Sequence, residues 1–303
     1  MATLKSWINA ARPRTLPLAL SGIFTGCGLA WFYGAIDAAV SVLAIVTATL
    51  IQVFSNFAND YGDSRKGTDN PFRVGPTRTV QSGEISHKEM ETGMIVVGGL
   101  SFMVGILLVY SGTWHHSKAA FFGFIGLGIL SLLAAYFYTA GEKSYGYIGL
   151  GDLFVFLFFG ILPVPGVFYL NAGFLPASVF LPAITIGLFS TGVLNLNNIR
   201  DIANDRNSGK ITIPVRIGAR NARLYHLAMI SAGWIFAILF SLKHLHSLWQ
   251  LLFLISLPFF ARDLRKIFRI QNEKELDPFL KRLALSTLAF TLLFCLGLII
   301  SIQ

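Results

Sequence analysis

Apolar runs long enough to cross a bilayer recur along almost the whole chain, and they fix the class of structure before any motif is read. A helix needs about 20 apolar residues to span the hydrocarbon layer. Nine such runs occur, near 16–34, 38–58, 91–111, 118–140, 152–170, 175–195, 224–242, 247–261 and 283–302. The eighth is short and is closed by Pro258 and Arg262. Hydrophobic residues make up 54% of the chain and charged residues only 13%, about half the charged share of a soluble domain. The expectation is an all-α polytopic membrane protein with nine transmembrane helices.

Basic residues set the expected orientation, because cytoplasmic loops collect Lys and Arg. With the N-terminus inside, 22 of the 24 Lys and Arg fall in inner segments, and only Lys118 and Lys243 lie outside. The N-terminus is therefore expected on the cytoplasmic side and the C-terminus outside. The net charge of +9 is then a topology signal, with attraction to anionic head groups as a by-product. Met1 to Arg14 reads as a basic interfacial helix ahead of an uncleaved first span. Cys27 and Cys295 both fall in spans and are expected as free thiols. The basic stretch 262–282 reads as an amphipathic helix on the lipid surface, not as a nucleic-acid patch.

Two polar stretches stand at the ends of apolar runs. The first, Asn56 to Asp69, follows the run Ala39 to Phe54; the second, Asn197 to Lys210, follows Leu181 to Leu194. If the helix continues into the first stretch, Asn56, Asp60 and Asp63 share one face. Asn197, Asp201 and Asp205 recur at the same helical spacing. Like charges so placed repel, and a helix C-terminus already carries partial negative charge. A cationic partner is needed, and Mg2+, which takes one or two carboxylates and completes its shell with water and substrate phosphate, meets that need. Asn56, Asp60, Asp63, Asn197, Asp201 and Asp205 are the candidate metal ligands.

The two stretches occupy equivalent places. Asn56 and Asn197 each end the second span of a group of four, so a single domain, 1–303, is expected from two similarly oriented four-helix repeats, about 16–140 and 152–261, with the last helix, 283–302, added. That symmetry would set the acidic faces opposite each other. Arg12-Pro13-Arg14 opens the first span either as snorkelling charge with a helix-start Pro or as part of an anion site. Asp152, at the start of the fifth span, reads equally as a helix-dipole partner or a site residue. Phe residues between Phe154 and Phe159 could line an apolar tunnel. No Gly-rich phosphate loop and no His-Glu-x-x-His zinc motif occurs.

These motifs together resemble the UbiA superfamily of intramembrane aromatic prenyltransferases, and within it the branch that prenylates 1,4-dihydroxy-2-naphthoate in menaquinone synthesis. The resemblance spans essentially the whole chain. It rests on Ala11-Arg12-Pro13-Arg14-Thr15-Leu16-Pro17, Asn59-Asp60-Tyr61-Gly62-Asp63 with Gly67-Thr68-Asp69, Gly75-Pro76 with Arg78, Tyr145-Gly146-Tyr147 with Gly149 to Asp152, and Asn197 to Asp201 with Asp205, Gly209-Lys210 and Thr212. Ser64 stands where the superfamily often has a second Asp, and Asp63 precedes it.

The resemblance implies that Asp60, Asp63, Asp201 and Asp205 are the catalytic carboxylates, holding Mg2+ against a polyprenyl diphosphate. It further implies substrate contacts from Asn56, Asn59, Lys66, Asp69, Arg78, Lys143, Asn197 and Lys210, and an active site facing the cytoplasm from the bacterial inner membrane. The partners so implied are the polyprenyl diphosphate, the aromatic acid and the lipid bilayer, with no nucleic acid and no obligate protein partner. Acceptors such as 4-hydroxybenzoate or haem are the alternatives within the family. A divalent-cation transporter is the alternative outside it, although Asp37 is almost alone as an outer acid.

Overall fold

The computed structural model describes residues 2–68, 74–141 and 144–302; Asp69 and Lys143 lie outside the described residues. Every regular element among the described residues is helical. In chain order they are α1 (Leu4–Ala11), α2 (Leu16–Phe32), α3 (Ala38–Arg65), α4 (His87–Thr113), α5 (Lys118–Phe137) and α6 (Gly151–Ala172). They continue with α7 (Phe180–Arg200), α8 (Ile202–Asn207), α9 (Ile213–Lys243), α10 (Leu257–Arg269) and α11 (Asp277–Ser301).

Among the described residues eight helical segments are long and apolar enough to cross a membrane. The expected run 247–261 differs from the other eight. Residues Leu248–Ser256 wind as a 3-10 helix, and Pro258 then opens α10 as an amphipathic α-helix. The reason is local: Pro258 has no N–H to continue the preceding ladder, and Arg262, Arg265, Lys266 and Arg269 force a polar face. Phe260 and Ile267 are buried on the opposite face of α10, so the amphipathic segment expected in 262–282 sits earlier in the chain.

Helix starts follow from side-chain caps. Asp37 Oδ1 accepts the Val40 N–H at 2.9 Å to begin α3, and Ser86 with Glu89 forms a reciprocal capping box at α4. Inside the spans, hydroxyls of Thr25, Thr47, Ser101, Thr113 and Thr287 donate to the carbonyl four residues back. No hydroxyl among them is left unpaired in an apolar setting.

The most extensive helix pairs are α3 with α4 and α7 with α9; α2 runs between the two groups and packs on α11, α6 and α3. The larger core is aromatic, with Phe189, Trp234, Phe253, Phe260, Phe290 and Phe294 in mutual contact. A second cluster, Phe54, Phe57, Tyr61, Ile85, Met90 and Met94, packs under the first polar stretch. Both cysteines are free, as expected.

Helix α6 is irregular. Residues Leu157–Ile161 form a π-turn, with the Leu162 N–H reaching the Leu157 carbonyl at 2.8 Å, and Pro163 then restarts the α-helix. This turn packs on α7 at a glycine pair. A methyl group on Gly160 would lie 2.4 Å from the Ala183 carbonyl oxygen and 2.5 Å from Gly187 Cα. Membrane helices use small residues for such close approach. Gly160→Val should therefore destabilise the protein by about 1–3 kcal/mol through overpacking. The measurement is thermal unfolding in detergent; an unchanged midpoint would show that the α6–α7 approach is not tight.

Candidate active site

The first polar stretch is helical throughout. α3 continues to Arg65, so Asn56, Asp60 and Asp63 do share a face, and all three are buried. The second stretch bends. α7 ends at Arg200, Asp201 takes φ −96° and ψ 10°, and α8 follows. Bonds from Asp201 N–H to the Asn197 carbonyl (3.1 Å) and from Asp205 N–H to the Asp201 carbonyl (2.8 Å) preserve the spacing across the bend.

The four carboxylates are embedded in guanidinium and phenol groups. Arg78 donates to Asp60 Oδ1 at 2.8 Å and to Asp63 Oδ2 at 3.4 Å, and Thr79 donates to Asp60 Oδ2 at 3.1 Å. Arg12 pairs with Asp60 as well. The Tyr147 hydroxyl donates to Asp63 Oδ1 at 2.8 Å, and Thr68 bonds the same phenol at 2.5 Å. On the second side Arg200 grips Asp201 with two bonds, 2.9 and 2.5 Å, while also reaching Asn197 Oδ1 at 2.8 Å and Asp277 Oδ1 at 2.5 Å. Lys210 stands 3.7 Å from Asp205.

The two stretches meet. Asn204 donates to the Thr68 carbonyl at 3.2 Å, and Arg78, while bonded to Asp60 and Asp63, is attracted to Asp201. Lys66 and Lys210 both lie against the Tyr147 ring, at 4.5 and 5.7 Å from its centre. Burial pushes the Asp205 carboxyl up to about 6; Lys210 opposes that shift, and Asp201 and Asp63 reinforce it. Burial also lowers Arg78 to about 10, against the attraction of Asp201. That still leaves it charged at neutral pH.

Some expected residues also make structural contacts. Asn56 braces the start of the chain, donating to the Ala11 carbonyl at 2.8 Å and to Thr15 Oγ1 at 3.0 Å. Asn59 accepts from Thr139 at 3.2 Å. Arg12, left open from the sequence, takes a left-handed backbone (φ 48°, ψ 68°) between α1 and α2. A non-glycine residue is strained there, and its pairing with Asp60 holds it. Arg200, Thr79, Tyr138 and Asp277 were not singled out. Arg200 adjoins Asp201 in sequence and could have been found, whereas Asp277 lies far along the chain and joins only through tertiary packing.

A hard divalent cation fits this donor set. Among the described residues no three acidic, His or Cys side chains converge into a ready-made cage, but Mg2+ is bound by one or two carboxylates plus phosphate oxygens and water. Asp205 Oδ2 is buried with no hydrogen-bond partner, an orphaned oxygen of the kind such an ion satisfies.

Comparison with known proteins gives the same class of molecule. The chain is 44% identical over 297 residues to the 1,4-dihydroxy-2-naphthoate octaprenyltransferase of Escherichia coli strain K12, covering 98% of this chain and 96% of the relative. Its fold is similar to that of the apo UbiA homologue from Aeropyrum pernix K1, with a TM-score of 0.66, 16% identity and full coverage of both chains. A UbiA homologue from Archaeoglobus fulgidus bound to DMAPP and Mg2+ aligns with a TM-score of 0.62 and 16% identity over 95% of this chain and 99% of the homologue. The UbiA prenyltransferase family profile matches residues 19–290, and the chain belongs to that family.

Proposed function

We propose that this prenyltransferase joins a polyprenyl group from its diphosphate to 1,4-dihydroxy-2-naphthoate, with loss of CO2 and diphosphate, to give demethylmenaquinone. The carrying observation is the meeting of two acidic stretches, where Asn204 donates to the Thr68 carbonyl at 3.2 Å while Arg78 bonds Asp60 and Asp63. One diphosphate can be gripped from both sides there. The acceptor assignment is supported by the name and identity of the Escherichia coli relative. In the same reading nine spans are retained, the eighth near 247–261, the repeats 16–140 and 152–261 are equivalent, and the site faces the cytoplasm from the inner membrane.

Held by Asp60, Asp63, Asp201 and Asp205, Mg2+ would supply the positive charge that a leaving diphosphate requires. Arg78, Lys66 and Lys210 converge on the same region and add fixed cationic donors where negative charge grows. Arg12 and Arg200 orient Asp60 and Asp201, so those carboxylates are positioned before substrate arrives. Tyr147, hydrogen-bonded to Asp63 and flanked by two lysines, presents a ring face that favours nearby positive charge, including charge on the prenyl group as its C–O bond lengthens. The naphthoate ring is electron-rich and attacks the prenyl carbon; loss of its carboxylate restores aromaticity.

The test is a panel of aromatic acceptors offered to purified protein with a polyprenyl diphosphate and excess Mg2+. Prenylated product with stoichiometric CO2 is expected from 1,4-dihydroxy-2-naphthoate. Preferential turnover of 4-hydroxybenzoate or haem would reject the acceptor assignment.

A further inference from the structure

Asp205 Oδ2 is not the only oxygen buried without a partner near the carboxylates. Asp152 Oδ2 on α6 and Asn195 Oδ1 and Asn198 Oδ1 on α7 are in the same condition. Their residues are 5%, 0% and 3% exposed. Buried acceptors are normally paired, so several together mark a place made for hydrogen-bond donors.

These groups belong to one junction. Asn195 and Asn198 lie within one turn of each other on α7, and Thr191, one turn earlier, approaches the Asp152 carbonyl at 3.4 Å. The Asn195 amide donates to the Ala222 carbonyl of α9 at 3.0 Å. Tyr225, one turn along α9, interacts with the Asp152 side chain. Tyr138 borders the junction, since its hydroxyl oxygen would lie 3.1 Å from a methyl group on Gly151, beside Asp152, and it is within electrostatic reach of Asp63 and Asp205.

We propose that Asp152, Asn195 and Asn198 form the subsite for the acceptor ring, and that Asp152 takes the proton from a ring hydroxyl as the new bond forms. This rests on the function proposed above, whose acceptor carries two hydroxyl donors and a carboxylate on a flat ring; a hydroxyl edge, not the carboxylate, is the part addressed to these acceptors. In the step, a ring-carbon electron pair bonds the prenyl carbon and the prenyl C–O bond breaks, its electron pair leaving on diphosphate. The O–H electrons become the carbonyl π bond, and the proton passes to the Asp152 carboxylate. Asp152 is not among the residues assigned to the diphosphate, so donor binding and proton acceptance can be read separately.

The experiment compares wild type, Asp152→Asn and Asp152→Glu as full-length protein in detergent with excess Mg2+. The substrates are geranylgeranyl diphosphate and 1,4-dihydroxy-2-naphthoate. For Asp152→Asn, kcat should fall by about 10²-fold or more, the usual contribution of a positioned base, with the diphosphate KM and the thermal midpoint unchanged. Asp152→Glu should recover part of the rate. Tyr225→Phe removes only a hydroxyl beside Asp152 and should slow turnover by about tenfold, a second reading if the Asn variant fails to fold. A well-folded Asp152→Asn protein with near-normal kcat, or one that has lost diphosphate binding, overturns the assignment while wild-type activity stands. A wild type that prenylates no hydroxynaphthoate overturns the functional reading and this subsite with it.

Discussion

Asp60→Asn and Asp201→Asn should each lower turnover by about 10³-fold, the scale seen when a single electrostatic contact to a transition state is removed. The substitution keeps side-chain size, so membrane insertion and helix packing should survive. The loss follows from two consequences of one missing charge. Asp60 is 1% exposed and pairs with both Arg12 and Arg78; Asn at that position leaves two guanidinium groups competing for a neutral partner. Asp201 holds the fork of Arg200, which also reaches Asn197 and Asp277, so its neutralisation removes a carboxylate from the site while Asn197 and Asp277 keep Arg200 in place. The measurement is single-turnover product formation with Mg2+ in excess, alongside a thermal midpoint in detergent. Near-normal turnover in either folded variant removes these carboxylates from the mechanism.

Chelation should have an effect of similar size. Purified enzyme treated with EDTA should lose at least about 99% of its activity and regain it on adding Mg2+, because a bound metal contributes several kcal/mol to a leaving diphosphate and each 1.36 kcal/mol is a factor of ten. Ca2+ should restore less, since it prefers more oxygen ligands at longer distances than Mg2+ does. Full turnover in excess chelator would leave the arginines and lysines as the only cations in the reaction and would reject the metal assignment.

The fold was legible where hydrophobic length alone decides the outcome. The runs at 38–58, 91–111 and 118–140 became α3, α4 and α5 with small shifts at their ends, and the helical register of Asn56, Asp60 and Asp63 held because α3 continues through them. Legibility failed where the answer depends on contacts across the bundle. Pro258 and Arg262 mark locally where the run 247–261 breaks, but the apolar residues 248–256 before them do not show their 3-10 winding, which is set against α11 packed on them. The site shows the same division. Carboxylates at helical spacing can be read from one stretch of sequence, but the bonds by which the Asn56 amide braces Ala11 and Thr15 come only from the fold. Arg12 reads from sequence either as snorkelling charge or as part of an anion site, and its pairing with Asp60 is a tertiary contact that no local pattern gives. Asp277 contributes through Arg200, and no spacing rule connects residues so far apart.

The π-turn in α6 has a consequence for how this helix can change. Each residue added to or removed from an α-helix rotates everything beyond it by about 100°. The wide turn at 157–161 takes up more residues than an α-turn would, so it sets the angular phase between Asp152 at one end and the Pro163–Ala172 segment at the other. Shortening it by one residue would yield a more regular rod whose carboxylate end no longer addressed Thr191 and Tyr225. Substitutions along α6 can be absorbed one side chain at a time, whereas a change in its residue count re-aims half of the helix at once.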